Sequence, residues 1–254
     1  MFLAVDVGNS NIVFGVHDGE RWLRHWRART EPAKMPDEYG VLFRSFLQEA
    51  GLSLNCFDGM ALSSVVPLLT GRLSEMLEEH TRREPLVISH TIDTGLTFAV
   101  DNPAEVGADL IANAVAAYDR FHDACIVVDF GTATTFTAVG AGATFRGVAI
   151  APGLNLTASA LAGGTAQLPQ VYLTPPPQVI GTNTVASIQA GLVLGYVGLV
   201  EGLIDRIEEE MGQAVPVLAT GGLSRLIAPL TDRFTERDPW LTLEGLRLLG
   251  LRNA

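Results

Sequence analysis

The sequence predicts an α/β protein built from two similar halves, each beginning with three short strands. Two stretches carry this prediction because they repeat one pattern: "LAVDVGNSNIVFGV" at residues 3–16 and "IVVDFGTATTFTAV" at residues 126–139. In both, an apolar run ends in an aspartate, Asp6 or Asp129, and a glycine-containing polar turn leads into a second apolar run. A pattern that begins two α/β segments in this way indicates a duplicated architecture rather than one continuous barrel.

The elements of each half follow from hydrophobic spacing and turn residues. We expect an N-terminal half of residues 1–118 and a C-terminal half of residues 119–254. In the first half we predict strands at 2–7, 12–17 and 22–28, a helix from Pro36, a strand in "GMALSSVVP", a helix over 67–82, the strand "PLVIS" and a helix over 105–121. In the second half we predict strands near 124–130, 134–140 and 144–151, helices near 153–163 and 183–211, the strand "VPVLAT", a short helix after "GG" and a closing helix in "TLEGLRLLGLR".

Composition excludes several classes of function. Hydrophobic residues make up 48% and charged residues 18% of the chain, which is typical of a globular protein. The net charge is −11 and no lysine/arginine run is present, so we expect no nucleic-acid partner. Lys34 is the only lysine, in a polar proline-flanked loop, and this excludes Schiff-base chemistry and a GxxxxGK[ST] phosphate loop.

Cysteine, histidine and apolar spacing point to a cytoplasmic, soluble protein without a zinc site. The two cysteines have no CxxC spacing and the five histidines form no HxxxH pair. The start of the chain lacks a basic leader, and the most apolar window, 190–200, is shorter than the roughly 20 residues that span a bilayer. We therefore expect no membrane partner.

The repeated turn has the chemistry of a nucleotide-binding site. A strand that ends in aspartate before a glycine turn lets backbone N–H groups approach a phosphate, while the carboxylate holds a magnesium ion or its waters. Two such hairpins are expected to bind a triphosphate without a lysine. The alternative is that Asp6 and Asp129 are only turn residues, since Asp-x-Gly is common after strands. A third glycine turn, Gly221-Gly222, follows the last buried strand of the second half and is either a further ligand-binding turn or an ordinary loop.

These features resemble the acetate and sugar kinase/actin superfamily, and within it the type III pantothenate kinases. The resemblance covers nearly the whole chain and rests on six segments in order: "DVGNSN", "SSVVP", "DNPAEVGAD", "DFGTATTF", "GVAIAPGLNL" and "GTNTVASIQAG". It implies two duplicated RNase H-like halves of the βββαβα type. It also implies ATP-dependent phosphorylation of pantothenate, the first step toward coenzyme A, by a homodimer that uses Mg²⁺ and a monovalent cation, K⁺ or NH₄⁺.

The resemblance also implies roles for individual residues. Asp109 would be the general base, Asp129 would hold the monovalent cation, and Asp6 would hold magnesium indirectly. Thr184 would complete the pantothenate site of the partner subunit in the homodimer. The implied ATP-binding residues are Asp6, Val7, Gly8, Asn9, Ser10, Asn11, Ile12, Val13, Thr132, Gly221 and Gly222, and the implied pantothenate-binding residues are Gly107, Ala108, Asp109 and Thr184.

The chemistry of these residues agrees with the implied roles, and it also agrees with purely structural roles. Phosphoryl transfer requires positioning, charge neutralisation and one carboxylate to receive the hydroxyl proton. Asp109 is predicted in the first turn of a helix, where the helix dipole favours its ionised form, although an acidic residue there is also ordinary helix electrostatics. The glycines of the helix at 187–206 indicate close packing, either in the core or at a subunit interface.

Two positions depart from the family pattern near the expected pantothenate site. Leu110 stands where many members carry arginine, and Val100 where tyrosine is common before "DNP". Arg146 is a candidate partner for the pantothenate carboxylate, or a solvated charge at a strand end. Two other functions therefore stay open beside pantothenate kinase: a nucleotide-binding accessory protein of transcription on the same fold, and a kinase of another small hydroxy acid.

Overall fold

The computed structural model describes residues 1–254 and divides into two compact units. The first unit comprises Met1–Leu96, Asp101–Ala116 and Leu241–Ala254, and the second comprises Thr97–Val100 and Ala117–Trp240. The division at 116/117 lies close to the predicted boundary at 118/119. The last 14 residues differ from the prediction, because they belong to the first unit although they follow the second in sequence.

The first unit contains a five-stranded sheet in the order β3-β2-β1-β4-β5. β1 pairs antiparallel with β2 and parallel with β4, and β2 pairs antiparallel with β3. The strands are β1 Phe2–Val7, β2 Asn11–His17, β3 Trp22–Arg29, β4 Gly59–Ser64 and β5 Leu86–Val87. The helices are α1 Pro36–Glu49, α2 Pro67–Thr81, α3 Ala108–Phe121, whose last turns enter the second unit, and the closing helix, α8, Leu241–Arg252.

The two faces of this sheet bury different side chains. Leu3, Val5 and Val7 of β1 face α1 and α2, where they pack with Phe14, Phe43 and other buried apolar side chains. Because side chains alternate along a strand, Ala4 and Asp6 point to the opposite face. That face contacts α8, and the small, fully buried Ala4 and Ala61 suit a helix that packs closely.

Glycines allow α8 to pack without side chains in between. A Cβ atom on Gly245 would overlap the Ala112 backbone of α3, and one on Gly250 would overlap the Phe2 ring. The indole of Trp22 donates to Glu244 Oε2 at 3.1 Å, which joins α8 to the β2–β3 hairpin. The closing helix was predicted as a helix, but its assignment to the C-terminal half was wrong, because these contacts are with elements of the first unit.

The second unit repeats the arrangement around a six-stranded sheet in the order β11-β10-β7-β8-β9-β6. As in the first unit, three consecutive strands pair antiparallel, and a later strand pairs parallel with the first of the three. The strands are β6 Thr97–Phe98, β7 Cys125–Phe130, β8 Ala133–Gly140, β9 Thr144–Pro152, β10 Val217–Thr220 and β11 Glu236–Arg237. The helices are α4 Leu154–Gly163, α5 Thr184–Gln189, a π-helical turn Ala190–Leu194, α6 Gly195–Met211 and the four-residue α7 Ser224–Ile227.

The helical run Thr184–Met211 is long and apolar enough to cross a membrane by length and composition alone. Several of its side chains are instead part of the second core: Ile188, Val193, Val200 and Ile204 pack with the strand residues Ile126, Val128 and Phe136. These contacts are those of a core helix, and this helix alone is weak evidence for a membrane span.

The predicted helix at 105–121 begins later than expected. Pro103–Glu105 form a 3₁₀ turn capped by Asn102, whose Oδ1 accepts from the Ala104 N–H at 3.2 Å. The α-helix then begins at Ala108. Asp109 therefore lies in the first turn of α3, whereas Glu105 lies outside the α-helix.

Candidate active site

The first turn of α3 holds the Asp109 carboxylate in a small backbone cradle. Asp109 Oδ1 accepts from the Leu110 N–H at 2.8 Å. A Cβ atom on Gly107 would lie 2.6 Å from this oxygen and 3.7 Å from Val65 Cγ1, so a side chain at position 107 would displace the carboxylate. Gly107, Ala108 and Asp109 thus form one compact feature beside the end of β4.

Burial raises the pKa of the Asp109 carboxyl above its usual range, although the N–H groups of Leu110 and Asp109 itself lower it. The expected contribution of the helix N-terminus is present, because these N–H groups favour the ionised form, but desolvation outweighs it. A carboxylate with a raised pKa has a greater affinity for a proton, which is the property that a general base needs.

The turn between β1 and β2 is closed by backbone hydrogen bonds and held by the end of β3. The Gly8 N–H donates to the Asn11 carbonyl at 3.0 Å. The Thr30 N–H donates to the Ser10 carbonyl at 3.0 Å, and the Thr30 hydroxyl donates to the Gly8 carbonyl at 2.7 Å. Asn9, Ser10 and Asn11 are exposed, so the turn presents its polar groups to solvent while its base is fixed.

Asp6 lies beside a buried hydroxyl that has no partner within the protein. In the parallel register of β1 and β4, Asp6 is opposite Ser63, and in the antiparallel register of β1 and β2 it is opposite Val13. The Ser63 hydroxyl is fully buried and makes no hydrogen bond. An unsatisfied polar atom next to a partly buried carboxylate is a feature that a bound ion or its waters would satisfy.

The second aspartate, Asp129, lies against the glycine turn that follows β10. Gly221 has φ +83°, and a Cβ atom there would overlap Asp129 Oδ1 and lie 2.7 Å from the Phe130 backbone. Gly222 has open space around its α-carbon. The fold therefore brings Gly221 to Asp129 and leaves Gly222 at the surface of the same turn.

The turn at Gly131 and Thr132 packs on the start of α4. The Gly153 N–H donates to the Thr132 carbonyl at 3.1 Å, and a Cβ atom on Gly153 would overlap that carbonyl oxygen. Nearby, the Tyr196 hydroxyl bonds to the Thr134 hydroxyl and donates to the Pro152 carbonyl at 3.1 Å, so α6 is joined to β8 just after this turn and to the end of β9. Burial raises the pKa of Tyr196, which keeps its hydroxyl protonated.

Thr184 begins α5 and is exposed. The preceding residue, Asn183, caps the helix by accepting from the Ala186 N–H at 2.9 Å. Gln189, at the end of α5, donates to the Tyr172 carbonyl and the Thr174 hydroxyl, both at 2.9 Å. The structure thus fixes the segment before Thr184 against α5 while leaving the threonine accessible.

The positions that depart from the family pattern lie in different surroundings. Leu110 is 8% exposed and belongs to the apolar core, whereas Val100 is partly exposed. Arg146 is exposed on β9 in the second unit, with its side-chain stem beside Gly140.

Sequence reasoning missed three residues that support these features. Thr30 holds the first turn, Ser63 neighbours Asp6, and Tyr196 supports the second turn. "SSVVP" was noted as a segment, yet only the strand register shows which serine is next to Asp6. Thr30 and Tyr196 are distant in sequence from the turns that they support, and a single sequence carries no signal for such contacts.

Comparisons with known proteins identify the family. The family model for type III pantothenate kinase matches residues 2–206. The type III pantothenate kinase of Roseiflexus sp. strain RS-1 is 48% identical over 249 residues, covering 98% of both chains. That of Moorella thermoacetica is 47% identical over 254 residues, covering 100% of both.

Solved structures with low sequence identity share the fold. A Campylobacter jejuni protein assigned to the Baf family of transcriptional activators aligns with a TM-score of 0.59 at 19% identity, covering 99% of this chain and 98% of that one. The polyphosphate/ATP-glucomannokinase of Arthrobacter sp. strain KM aligns with a TM-score of 0.52 at 14% identity, covering 99% and 98%. The fold is that of the acetate and sugar kinase/actin superfamily, and the chain belongs to the type III pantothenate kinase family.

Proposed function

We propose that this protein transfers the γ-phosphate of ATP to the primary hydroxyl of pantothenate, giving 4′-phosphopantothenate and ADP in the first step of coenzyme A biosynthesis. The observation that carries the proposal is Asp109, a carboxylate with a raised pKa in the Gly107 cradle at the start of α3. Membership of the family supplies the substrate and the reaction class.

In this proposal Asp109 receives the proton of the pantothenate hydroxyl while the hydroxyl oxygen forms its bond to the γ-phosphorus and the bond to the ADP oxygen breaks. Gly107, which has no side chain to displace the carboxylate, and Ala108 line the acceptor site, and Thr184 of the partner subunit completes it. The turn from Asp6 to Val13, with Thr132, Gly221 and Gly222, binds ATP through backbone N–H groups and small polar side chains.

Two acidic residues are suited to the cations of the reaction. Asp6 would hold Mg²⁺ through water molecules, next to the unsatisfied Ser63 hydroxyl. Asp129 would hold K⁺ or NH₄⁺, since its carboxylate is bordered by Gly221, which has no side chain to exclude an ion. Such cations neutralise phosphate charge.

Replacing Asp129 by alanine is expected to weaken ATP use and to abolish stimulation by potassium, because the cation loses its anionic ligand. Initial rates measured against ATP in KCl and in NaCl provide the test. Asp119→Ala, which removes an exposed acidic residue from the same unit, is the matched control and should respond to potassium like the wild type. Potassium stimulation that survives in Asp129→Ala would place the cation elsewhere.

A homodimer in which Thr184 completes the partner's site accords with the surface of the second unit. Gly191, Gly195 and Gly198 lie on one side of the long helical run and have open space around them. Exposed apolar side chains occur in the same unit, including Ile180 at 83% and Leu156 at 52%. Of the two readings of the helix glycines, this exposure favours close packing of a second copy over packing within the core.

Gly198→Arg is expected to give a folded monomer with little activity, because the arginine fills the space that a second copy would occupy. Gly71→Arg is the matched control, since Gly71 is also an exposed helical glycine with open space, but in the first unit. Sedimentation velocity and the kinase assay are measured for both. A fully active wild-type monomer at assay concentration would contradict the dimer proposal.

Leu110→Arg is expected to destabilise the fold and to reduce pantothenate use, because Leu110 is 8% exposed and a buried unpaired guanidinium is costly. Thermal denaturation and the Michaelis constant for pantothenate are the measurements. A lower Michaelis constant with unchanged stability would show instead that position 110 faces the pantothenate carboxylate.

One coupled ADP-release assay, with and without pantothenate, separates the candidate functions. Release that depends on pantothenate supports the proposed kinase. Nucleotide binding without turnover would support an accessory protein of transcription, a function suggested by the Baf family neighbour through fold alone. Turnover with another hydroxy acid only would support the third candidate. We propose a cytoplasmic location for the enzyme, as expected for a soluble metabolic kinase.

A further inference from the structure

The face of the first sheet that carries Asp6 also carries two arginines of β3. The register places Asp6 opposite Val13, and Val13 opposite Arg27. Two residues from this pair along each strand, Asn11 lies opposite Arg29. Directly opposed residues in antiparallel strands point to the same face, with Cβ atoms about 4.5–5.5 Å apart. Arg29 therefore stands beside Asn11, on the same face as Asp6.

Arg29 is an available positive charge at this turn. Its side chain is exposed and makes no hydrogen bond or ion pair, whereas Lys34, in the loop that follows β3, is paired with Glu31 at 3.1 Å. Acidic residues outnumber basic ones in the chain, which has a net charge of −11, and yet Arg29 pairs with none of them.

The position of Arg29 relative to the turn is fixed by its neighbour. Thr30 donates from both its N–H and its hydroxyl to the turn carbonyls of Ser10 and Gly8. The end of β3 and the turn thus behave as one rigid piece. A guanidinium held beside an exposed polar turn is suited to a phosphate, which it binds through two parallel hydrogen bonds.

We propose that Arg29 binds the phosphate groups of the nucleotide and replaces the lysine that other phosphate-binding loops use. This inference rests on the proposed ATP-binding role of the turn at Gly8–Asn11. The pantothenate carboxylate is a less suitable ligand for Arg29. Asp109 and Gly107 lie near Val65 at the end of β4, and β3 is three strands from β4 in the sheet, or about 14 Å at about 4.8 Å per strand.

The test compares Arg29→Gln with Arg24→Gln in the full-length protein. Arg24 is also exposed on β3, but it lies opposite Val16, whose side chain belongs to the core on the other face, and it contacts only the Leu23 carbonyl. Isothermal titration calorimetry measures the binding of ADP and of adenosine to each variant. We expect Arg29→Gln to raise the Kd for ADP by about tenfold or more and to leave adenosine binding unchanged. Arg24→Gln should match the wild type for both ligands, and Arg29→Lys should recover part of the ADP affinity.

Three outcomes would overturn the inference: equal ADP affinities in the two glutamine variants, an equal loss of adenosine and ADP binding, or an effect confined to the Michaelis constant for pantothenate. The last outcome would assign Arg29 to the acceptor carboxylate. A wild type that binds ADP but does not phosphorylate pantothenate would refute the proposed function alone, since the ADP comparison still decides the role of Arg29. A wild type that binds no ADP would overturn the inference as well.

Discussion

Replacing Asp109 by asparagine is expected to lower kcat by about 10²–10⁴-fold while ATP binding is retained. Asparagine keeps the shape of the side chain but cannot take the proton of the acceptor hydroxyl. Glu105→Gln is the control, because Glu105 is a nearby exposed carboxylate outside the α-helix. It should keep nearly full activity. If Asp109→Asn retains more than half of the wild-type rate, Asp109 is not the base.

The raised pKa of Asp109 gives this prediction a pH dependence. Activity requires the ionised carboxylate, so kcat should fall with decreasing pH, and at a higher pH than for an ordinary exposed aspartate. The raised pKa affects folding stability in the opposite direction, since stability falls as pH rises whereas activity falls as pH decreases. A carboxyl whose pKa is raised by folding loses stability as pH rises from its unfolded to its folded value. Asp109→Asn should therefore be as stable as the wild type or more stable at neutral pH, and the difference should disappear in acid. Thermal denaturation of the variant and the wild type, at neutral and at acidic pH, measures this difference in stability.

Gly221→Ala is expected to abolish activity and to lower the free energy of unfolding by about 2–5 kcal/mol. The backbone at Gly221 has φ +83°, which a residue with a side chain rarely adopts. The new methyl group would also overlap the Asp129 carboxylate and crowd the Phe130 backbone. Asp129 would have to move away from the position proposed for the monovalent cation.

Gly222→Ala is the matched control for this effect. Gly222 is adjacent in sequence but has an ordinary φ and open space at its α-carbon. Denaturant unfolding and the kinase assay should therefore show values near those of the wild type. Equal damage from the two substitutions would indicate that the turn needs flexibility in general, and that contact with Asp129 is not the reason for glycine at position 221.

Local sequence patterns predicted most elements of the two sheets. Apolar runs bounded by turn residues were sufficient for β1, β2 and β3, and the same pattern around Asp129 predicted the second meander. The acetate and sugar kinase/actin fold suggested by these motifs is confirmed by the family and by the structural neighbours. The two-residue strand β6 was missed, since a segment of that length is formed by its pairing with β9 rather than by its own residues.

The site shows the same division between local and distant information. Gly107 lies two residues from Asp109, so their proximity follows from the motif. Contact between Gly221 and Asp129 depends on β10 pairing with β7, which joins residues more than 90 positions apart. The net pKa direction of Asp109 depends on burial by the folded chain, which the helix-dipole argument from sequence does not include.

The closing helix also affects the order in which the protein is completed during synthesis. Phe2 packs against Gly250, and Ala112 against Gly245, so β1 has one face uncovered until α8 has been synthesised. At about 5–20 residues per second, this interval is on the order of 10–50 seconds. The second unit, formed mainly by the continuous segment Ala117–Trp240, can acquire its own core earlier. The unit encoded first is therefore the last to be finished, and a nascent chain truncated before residue 241 would expose an apolar sheet face to chaperones and proteases.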